Sequence, residues 1–285
     1  MRRVLKFRFR EDPRVPVEVR QLTPDTLSTV NVDATHVWFG NRKVSTTEVF
    51  EIESWTEDGG DNEILIIFEG KGTERLRYVG YRMSSGKIVV RGNVGPLAGY
   101  RMRGGELIIE GNADHYLGSK MRNGKIEVHG DAGSCVGGKL IGENYGSGMK
   151  GGTIIIHGNA GSFIGHGMKG GDIIIEGSAG DYVGYGMKGG NILINGDVGL
   201  YPGARMSGGR IIVLGRVEDV LASFYIDSIV NGIKFKGRKI EGKFAIFLGD
   251  ILMESRGRLI ISYEKNLHIV RELEPLLEQP AEDIY

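Results

Sequence analysis

The chain has 285 residues, with 36 Lys and Arg against 36 Asp and Glu, and 47 glycines, more than twice the roughly 7% of an ordinary domain. Balanced charge removes the electrostatic reason to expect nucleic acid or an anionic membrane as partner, and a single cysteine, Cys135, excludes an internal disulfide and a thiolate-held cluster. The first residues, Met1-Arg2-Arg3-Val4-Leu5-Lys6, lack an apolar signal core, and no apolar run approaches membrane-spanning length, so the expectation is a soluble, cytoplasmic protein.

Residues 1–60 form a non-repetitive head. Apolar and basic residues alternate from Val4 to Arg10, and residues 15–19 also read as a half-exposed strand, with Val15, Val17 and Val19 at alternate positions. Thr23-Pro24-Asp25 reads as an N-cap followed by proline at the first helical position, which predicts one short turn of helix. Val37-Trp38-Phe39-Gly40-Asn41-Arg42-Lys43-Val44 reads as a strand with a tight turn. The head is expected to cover the open end of the repeats beyond it.

Residues 61–216 are repetitive. Seven of the nine methionines (Met83, Met102, Met121, Met149, Met168, Met187 and Met206) are spaced by 19 residues, except for one step of 28 between Met121 and Met149. A fixed period of this kind signals a solenoid. The fifth and seventh positions after each Met are aliphatic throughout, from Ile88 and Val90 to Ile211 and Val213. The sixth and eighth admit Glu127, His129, His157 and Glu176. This period of two denotes a strand, inward at the fifth and seventh positions and outward at the sixth and eighth. Glycine fills the ninth position in every block, from Gly92 to Gly215, and is read as a corner of positive φ. A small apolar column, an aromatic-rich column (Leu97, Tyr116, Cys135, Phe163, Tyr182, Tyr201) and a second glycine column complete the block. Cys135 is expected to be a small core residue in its column. The predicted fold is all-β, a right-handed single-stranded β-helix of about seven 19-residue coils whose like residues stack about 4.8 Å apart, with residues 63–70 as a degenerate first coil three residues longer than the rest. Residues 217–285 form a C-terminal cap and an acidic tail, the latter either a second cap or an arm laid on a partner.

Catalytic motifs in the repeats fail on context. Gly165 to Gly170 and Gly184 to Gly189 match G-x-G-x-x-G, yet a strand comes next where a dinucleotide fold needs a helix. Gly133 to Lys139 matches a phosphate loop, except that Leu140 stands where Ser or Thr must hold magnesium. His129 and His157 share one column on neighbouring coils, but no carboxylate or cysteine joins them in the sequence, so they read as a solvated pair. No catalytic, cofactor or metal site is expected in this chain.

Two features point outward. Arg103, Arg122, Lys150, Lys169 and Lys188 directly follow Met, and Arg82, Arg101, Lys120 and Arg205 directly precede it. Stacked coils make these a row of cations, which is either a solvated ridge or a docking line for an acidic subunit or polyanionic ligand. The nine extra residues lie within residues 138–148. An insertion in a solenoid emerges on one face, so Lys139, Glu143 and Tyr145 are candidate partner contacts.

The run G-x-x-M-K-G-G-x-I-x-I-x-G-x-A-G-x-x-x-G, together with Gly40-Asn41-Arg42-Lys43-Val44, resembles the C subunit of formylmethanofuran dehydrogenase and, more distantly, the C-terminal β-helix of the glutamate synthase large subunit. The similarity spans roughly residues 35–215. It implies a non-catalytic scaffold in a cytoplasmic archaeal complex that reduces carbon dioxide and attaches the formyl group to methanofuran, the first step of methanogenesis from carbon dioxide. By the same resemblance, the tungsten- or molybdenum-pterin centre, the iron–sulfur clusters and the metal-dependent amidohydrolase site belong to pterin-binding, ferredoxin-like and amidohydrolase partner subunits. The basic row is then expected to meet the glutamyl tail of methanofuran. The related formyltransferase/hydrolase complex of methylotrophs, which uses a similar subunit without redox chemistry, is the alternative, as is a stand-alone β-helix that binds or acts by itself.

Overall fold

The computed structural model describes residues 1–58, 63–253 and 256–277. Its main feature is a sheet of thirteen strands. In chain order these are β1 (Arg2–Phe9), β2 (Phe50–Glu57), β3 (Ile64–Glu69), β4 (Lys87–Arg91), β5 (Glu106–Ile109), β6 (Lys125–Val128), β7 (Lys150–Ile156), β8 (Gly170–Ile175), β9 (Lys188–Ile194), β10 (Gly208–Val213), β11 (Tyr225–Phe235), β12 (Arg238–Leu248) and β13 (Arg258–Ser262). Spatially they run β11-β12-β13-β10-β9-β8-β7-β6-β5-β4-β3-β1-β2.

From β3 to β10 every neighbouring pair is parallel, and the aliphatic positions stay in register, with one-residue shifts only at the starts of the β7–β8 and β9–β10 pairs. Ile66 pairs with Ile88, and the line continues through Leu107, Ile126, Ile154, Ile173 and Ile192 to Ile211. The Ile66-to-Ile88 step confirms the longer first coil. Across the 28-residue step, β6 still meets β7 with Ile126 opposite Ile154, so the extra residues leave the coil without disturbing its register. The small apolar column forms a second parallel ladder, Val94-Ala113-Ala132-Ala160-Ala179-Val198. The seven repeat methionines and the fifth- and seventh-position aliphatics between the two ladders are all fully buried. No helix interrupts residues 83–215, so the all-β expectation holds.

Two ladders of side chains that the repeat columns did not reveal satisfy the turning backbone. Asn112, Asp131, Asn159, Ser178, Asp197 and Arg216 each donate a backbone N–H to the side-chain oxygen of Asn93, Asn112, Asp131, Asn159, Ser178 and Asp197 respectively, at 2.7–3.0 Å. A shorter series runs from His115 through Ser134 and Ser162 to Asp181. Each of these backbone N–H groups takes an acceptor, and Asn, Asp, Ser and His supply one from the preceding coil.

The ninth-column glycines serve a different purpose from the one expected. Only Gly92 in that column has positive φ. Elsewhere a Cβ would strike the preceding coil: at Gly177 it would lie 2.6 Å from the carbonyl oxygen of Gly158, and at Gly215 2.1 Å from that of Gly196. These glycines permit close coil-to-coil approach. The aromatic-rich column holds the left-handed conformation instead, with Tyr116, Cys135, Phe163, Tyr182 and Tyr201 at φ +56° to +63°. Cys135 is therefore half-buried on the surface rather than a core residue.

The non-repetitive segments add strands at both ends of the sheet. Thr23 caps Pro24–Leu27 as expected, accepting from the N–H of Thr26 at 3.3 Å. His36–Phe39 and Arg42–Ser45 form the hairpin around Gly40 (φ +61°). A short helix, Thr46–Val49, then leads into β2. β1 joins the stack by pairing parallel with β3 and antiparallel with β2, so Phe7, Phe50 and Phe68 fill the first coil. At the other end, residues 225–248 form one long antiparallel hairpin, β11 and β12. The chain then adds β13 as a further parallel rung, with Leu259 opposite Ile211. Buried Asn266 closes the last coil, accepting from the N–H of Val217 at 2.7 Å and donating to the carbonyl of Gly215 at 3.0 Å. Leu267–Leu273 is helical, with Val270 fully buried. Residues 278–285 of the acidic tail lie outside the described residues.

Candidate functional site: a basic groove beside the insertion

The insertion divides the expected row of cations. Arg103, Arg122 and Lys150 meet Arg82, Arg101 and Lys120 around a groove of about 300 Å³ whose remaining lining is Gly146 and Ser147 of the insertion. Lys169 and Lys188 continue the row under the insertion, where their aliphatic stems lie against Gly146. Both remain exposed.

Local conformation shows how the groove is built. Arg82, Arg101, Lys120 and Arg205 hold φ of +56° to +59°, a region costing a non-glycine residue on the order of 1 kcal/mol or more. Glycine takes the same column at Gly167 and Gly186, with φ +63° and +61°. A cation kept where glycine sits without strain implies that its charge is wanted. Rings set two of the guanidinium groups: Arg82 lies 5.2 Å from the Tyr81 ring centroid and Arg101 5.2 Å from that of Tyr100, while the two rings stack at 6.0 Å.

The insertion residues take other parts than the sequence suggested. Lys139 is turned inward and is 8% exposed. Its stem abuts Gly167 and its ammonium lies 5.4 Å from the Tyr145 ring, so it braces the loop and is not a docking contact. Glu143 pairs with Lys120 and accepts from the N–H of Leu140 at 3.1 Å. Burial opposes the ionisation of Glu143, but Lys120 and the Leu140 amide outweigh it and hold its carboxyl below the usual range. Glu143 thus ties the loop to Lys120, one of the residues lining the groove. Tyr145 lies over Gly186, where a Cβ would come within 2.3 Å of its ring, and its ring centroid is 5.9 Å from those of His166 and Tyr185. Glycine at positions 167 and 186 thus makes room for the loop.

His166, enclosed by this packing, is held down to about 4, first by burial and then by the charge of Lys139. The unfolded chain, with histidine near 6.5, binds the extra proton over the window from pH 6.5 to 4, so this contribution to stability is lost as pH falls through it. The undiscounted shift is worth about 3 kcal/mol, and screening of a half-exposed ring reduces it to about 1–2 kcal/mol. Urea midpoints at pH 7 and pH 4.5 should separate the parent chain from His166→Phe by that amount. Equal pH dependence in both would refute it.

A larger cleft of about 1040 Å³ in the head is rimmed by Arg10, Arg14 and Arg75 and by Glu11, Asp12, Glu48 and Glu74. Its charges oppose one another and no nucleophile–base pair lines it. The two G-x-G-x-x-G segments precede strands β8 and β9, as their context required. The structure also corrects the reading of the histidine pair as merely solvated: His157 contacts two carboxylates, Glu127 from the coil of His129 and Glu176 from the coil beyond its own.

The chain is thus an all-β stack of repeats that carries a groove lined by six cations. A family model described as "GXGXG motif" matches residues 73–236, and the chain belongs to this family. The C subunit of the tungsten-containing formylmethanofuran dehydrogenase 2 of Methanothermobacter wolfeii is 37% identical over 88 residues, 30% of this chain and 32% of that protein. The same subunit of Methanothermobacter marburgensis is 36% identical over 88 residues. The chain thus spans about a third of the length of these curated relatives. The X-ray structure of the formyltransferase/hydrolase complex (FhcABCD) from Methylorubrum extorquens in complex with methylofuran contains a chain that is 28% identical. That match has a TM-score of 0.76 and covers 90% of this chain and 99% of that one.

Proposed function

We propose that this chain is the non-catalytic scaffold, the C subunit, of a formylmethanofuran dehydrogenase complex in the cytoplasm of a methanogenic archaeon. In this reading the chain is a right-handed single-stranded β-helix over residues 61–216, capped by residues 1–60 and by the segment from 217 onward. The tungsten- or molybdenum-pterin centre, iron–sulfur clusters and amidohydrolase metal site sit in partner subunits. The observation that carries the reading is the agreement between the 37% identity to the C subunit of a dehydrogenase and a match that covers 99% of a chain from a related assembly. The basic groove supports it as well, because besides Lys120, which pairs with Glu143, it offers five cations to a carboxylate-rich partner or to the glutamyl tail of methanofuran. That structural match also favours a second reading, the corresponding subunit of a formyltransferase/hydrolase complex.

Native purification of the chain from its own cells, followed by mass spectrometry and elemental analysis, separates these readings. Co-purifying pterin-binding and amidohydrolase subunits with tungsten or molybdenum and iron are expected for the dehydrogenase. An assembly with a formyltransferase and no such redox metals would replace the first reading by the second. A chain that purifies free of partners would refute both.

A further inference from the structure

The outer face of the sheet carries a second cluster of side chains, at the step where the insertion interrupts the repeat. β6 and β7 are neighbours although Met121 and Met149 are 28 residues apart. This pairing brings His129, just beyond β6, beside His157, just beyond β7, with ring centroids 5.6 Å apart. Glu127 lies two residues before His129 on the same outward face. Its Oε1 is 3.0 Å from Nε2 of His157, and one ligand atom from each of Glu127, His129 and His157 falls within 4.8 Å of the others.

We infer that Glu127, His129 and His157 form a binding site for a divalent borderline metal ion, with Zn²⁺ as the best fit. Two imidazole nitrogens and one carboxylate oxygen are a zinc donor set, and zinc bonds of about 2.0–2.1 Å in a tetrahedron separate ligand atoms by about 3.3 Å. The Glu127–His157 pair already stands near that separation at 3.0 Å. His129 completes the set by a side-chain rotation, since its ring is exposed.

The surroundings orient the site. Nδ1 of His157 lies 2.9 Å from Oε2 of Glu176, so Nδ1–H donates to Glu176, and an ion that displaces the Nε2 proton finds that nitrogen facing Glu127 and His129. A carboxylate behind a ligating histidine is the usual device for fixing its tautomer and raising its basicity. Lys125 donates to the other oxygen of Glu127, Oε2, at 2.6 Å, which leaves Oε1 for the ion and holds the carboxylate in place. The bound ion ties two coils across the point where the insertion departs, and water takes the fourth position.

The test uses the untagged, full-length chain, stripped with a chelator and exchanged into metal-free buffer. Calorimetric titration with Zn²⁺ should show one saturable equivalent. Co²⁺ in its place should give the intense visible absorption of a tetrahedral site. His129→Ala and His157→Ala should each weaken Zn²⁺ binding at least 100-fold and abolish the Co²⁺ band, and Glu176→Gln should weaken it about 10- to 100-fold. Circular dichroism should be unchanged, because all three side chains lie on the solvent face. Absence of a saturable 1:1 site in the parent chain overturns the inference, as does binding that survives in the His129→Ala, His157→Ala double variant.

Discussion

Met168→Ala should lower the free energy of unfolding by about 3–5 kcal/mol, the upper part of the range for truncating a buried long side chain. Met168 is fully buried, and its surroundings cannot close over the loss. Its Cε lies where a Cβ on Gly190 of the next coil would be, 2.6 Å away, and its Sδ is 3.5 Å from the corresponding point on Gly165. The thioether fills the volume two glycines leave, and glycine has no side chain with which to fill it in return. The backbone is equally fixed, because β8 is paired in register with β7 and β9 on either side. Gly190→Ala should also destabilise, by about 2–4 kcal/mol, since its φ is +94° and the new methyl meets both Met168 and the carbonyl oxygen of Gly171 at 2.8 Å. The two losses share one space, so the double variant should be less destabilised than their sum by about 1 kcal/mol. Chemical denaturation of the four chains measures this coupling, and strict additivity would show that Met168 and Gly190 do not occupy a common cavity.

That the fold was so legible comes from the fact the 19-residue period records. Met168, Ile173 and Ile175 repeat because each must lie on its own equivalent one coil away, so column and contact are the same fact. Where contacts leave the column, the sequence was mute. β13 stacks on β10 across 48 residues, with Leu259 opposite Ile211, and no repeat marks it because the long β11–β12 hairpin intervenes. The ninth-column glycines were recognisable as obligatory but not for the right reason: absence of a side chain looks the same whether φ or a neighbouring carbonyl forbids one. The polarity of the columns, at Asn93, Asn112, Asp131 and Asn159, was the one available sign of the side-chain ladder. At the groove, the cation row was visible but its division was not. The inward turn of Lys139 and the seating of Tyr145 on Gly186 depend on the path of a non-repetitive loop. The Glu176 contact to His157 likewise depends on a rotamer, which no column specifies.

Reversing three charges in the groove, Arg101→Glu with Arg122→Glu and Lys150→Glu, should reduce the affinity of the chain for an oligoglutamate peptide about 100-fold at low salt. Exposed pairs contribute roughly 0.2–1 kcal/mol each, reversal replaces attraction by repulsion of similar size, and three such changes total about 3 kcal/mol, which is two decades in Kd. The difference should shrink as ionic strength rises past 0.1 M, where the screening length is about 10 Å. The same three reversals placed at Lys234, Lys239 and Lys243 on the β11–β12 hairpin should leave binding unchanged, which separates a local site from a net-charge effect. Arg101→Gly tests the cause more closely. Relief of φ +59°, worth about 1 kcal/mol, offsets the added freedom of glycine in the unfolded chain, about 0.5–1 kcal/mol, so stability should stay within about 0.5 kcal/mol. Affinity should nevertheless fall several-fold, because the guanidinium resting on Tyr100 is gone. If Arg101→Gly binds the peptide as tightly as the parent, the left-handed cations are held for some purpose other than anion recognition, and the groove is a solvated ridge.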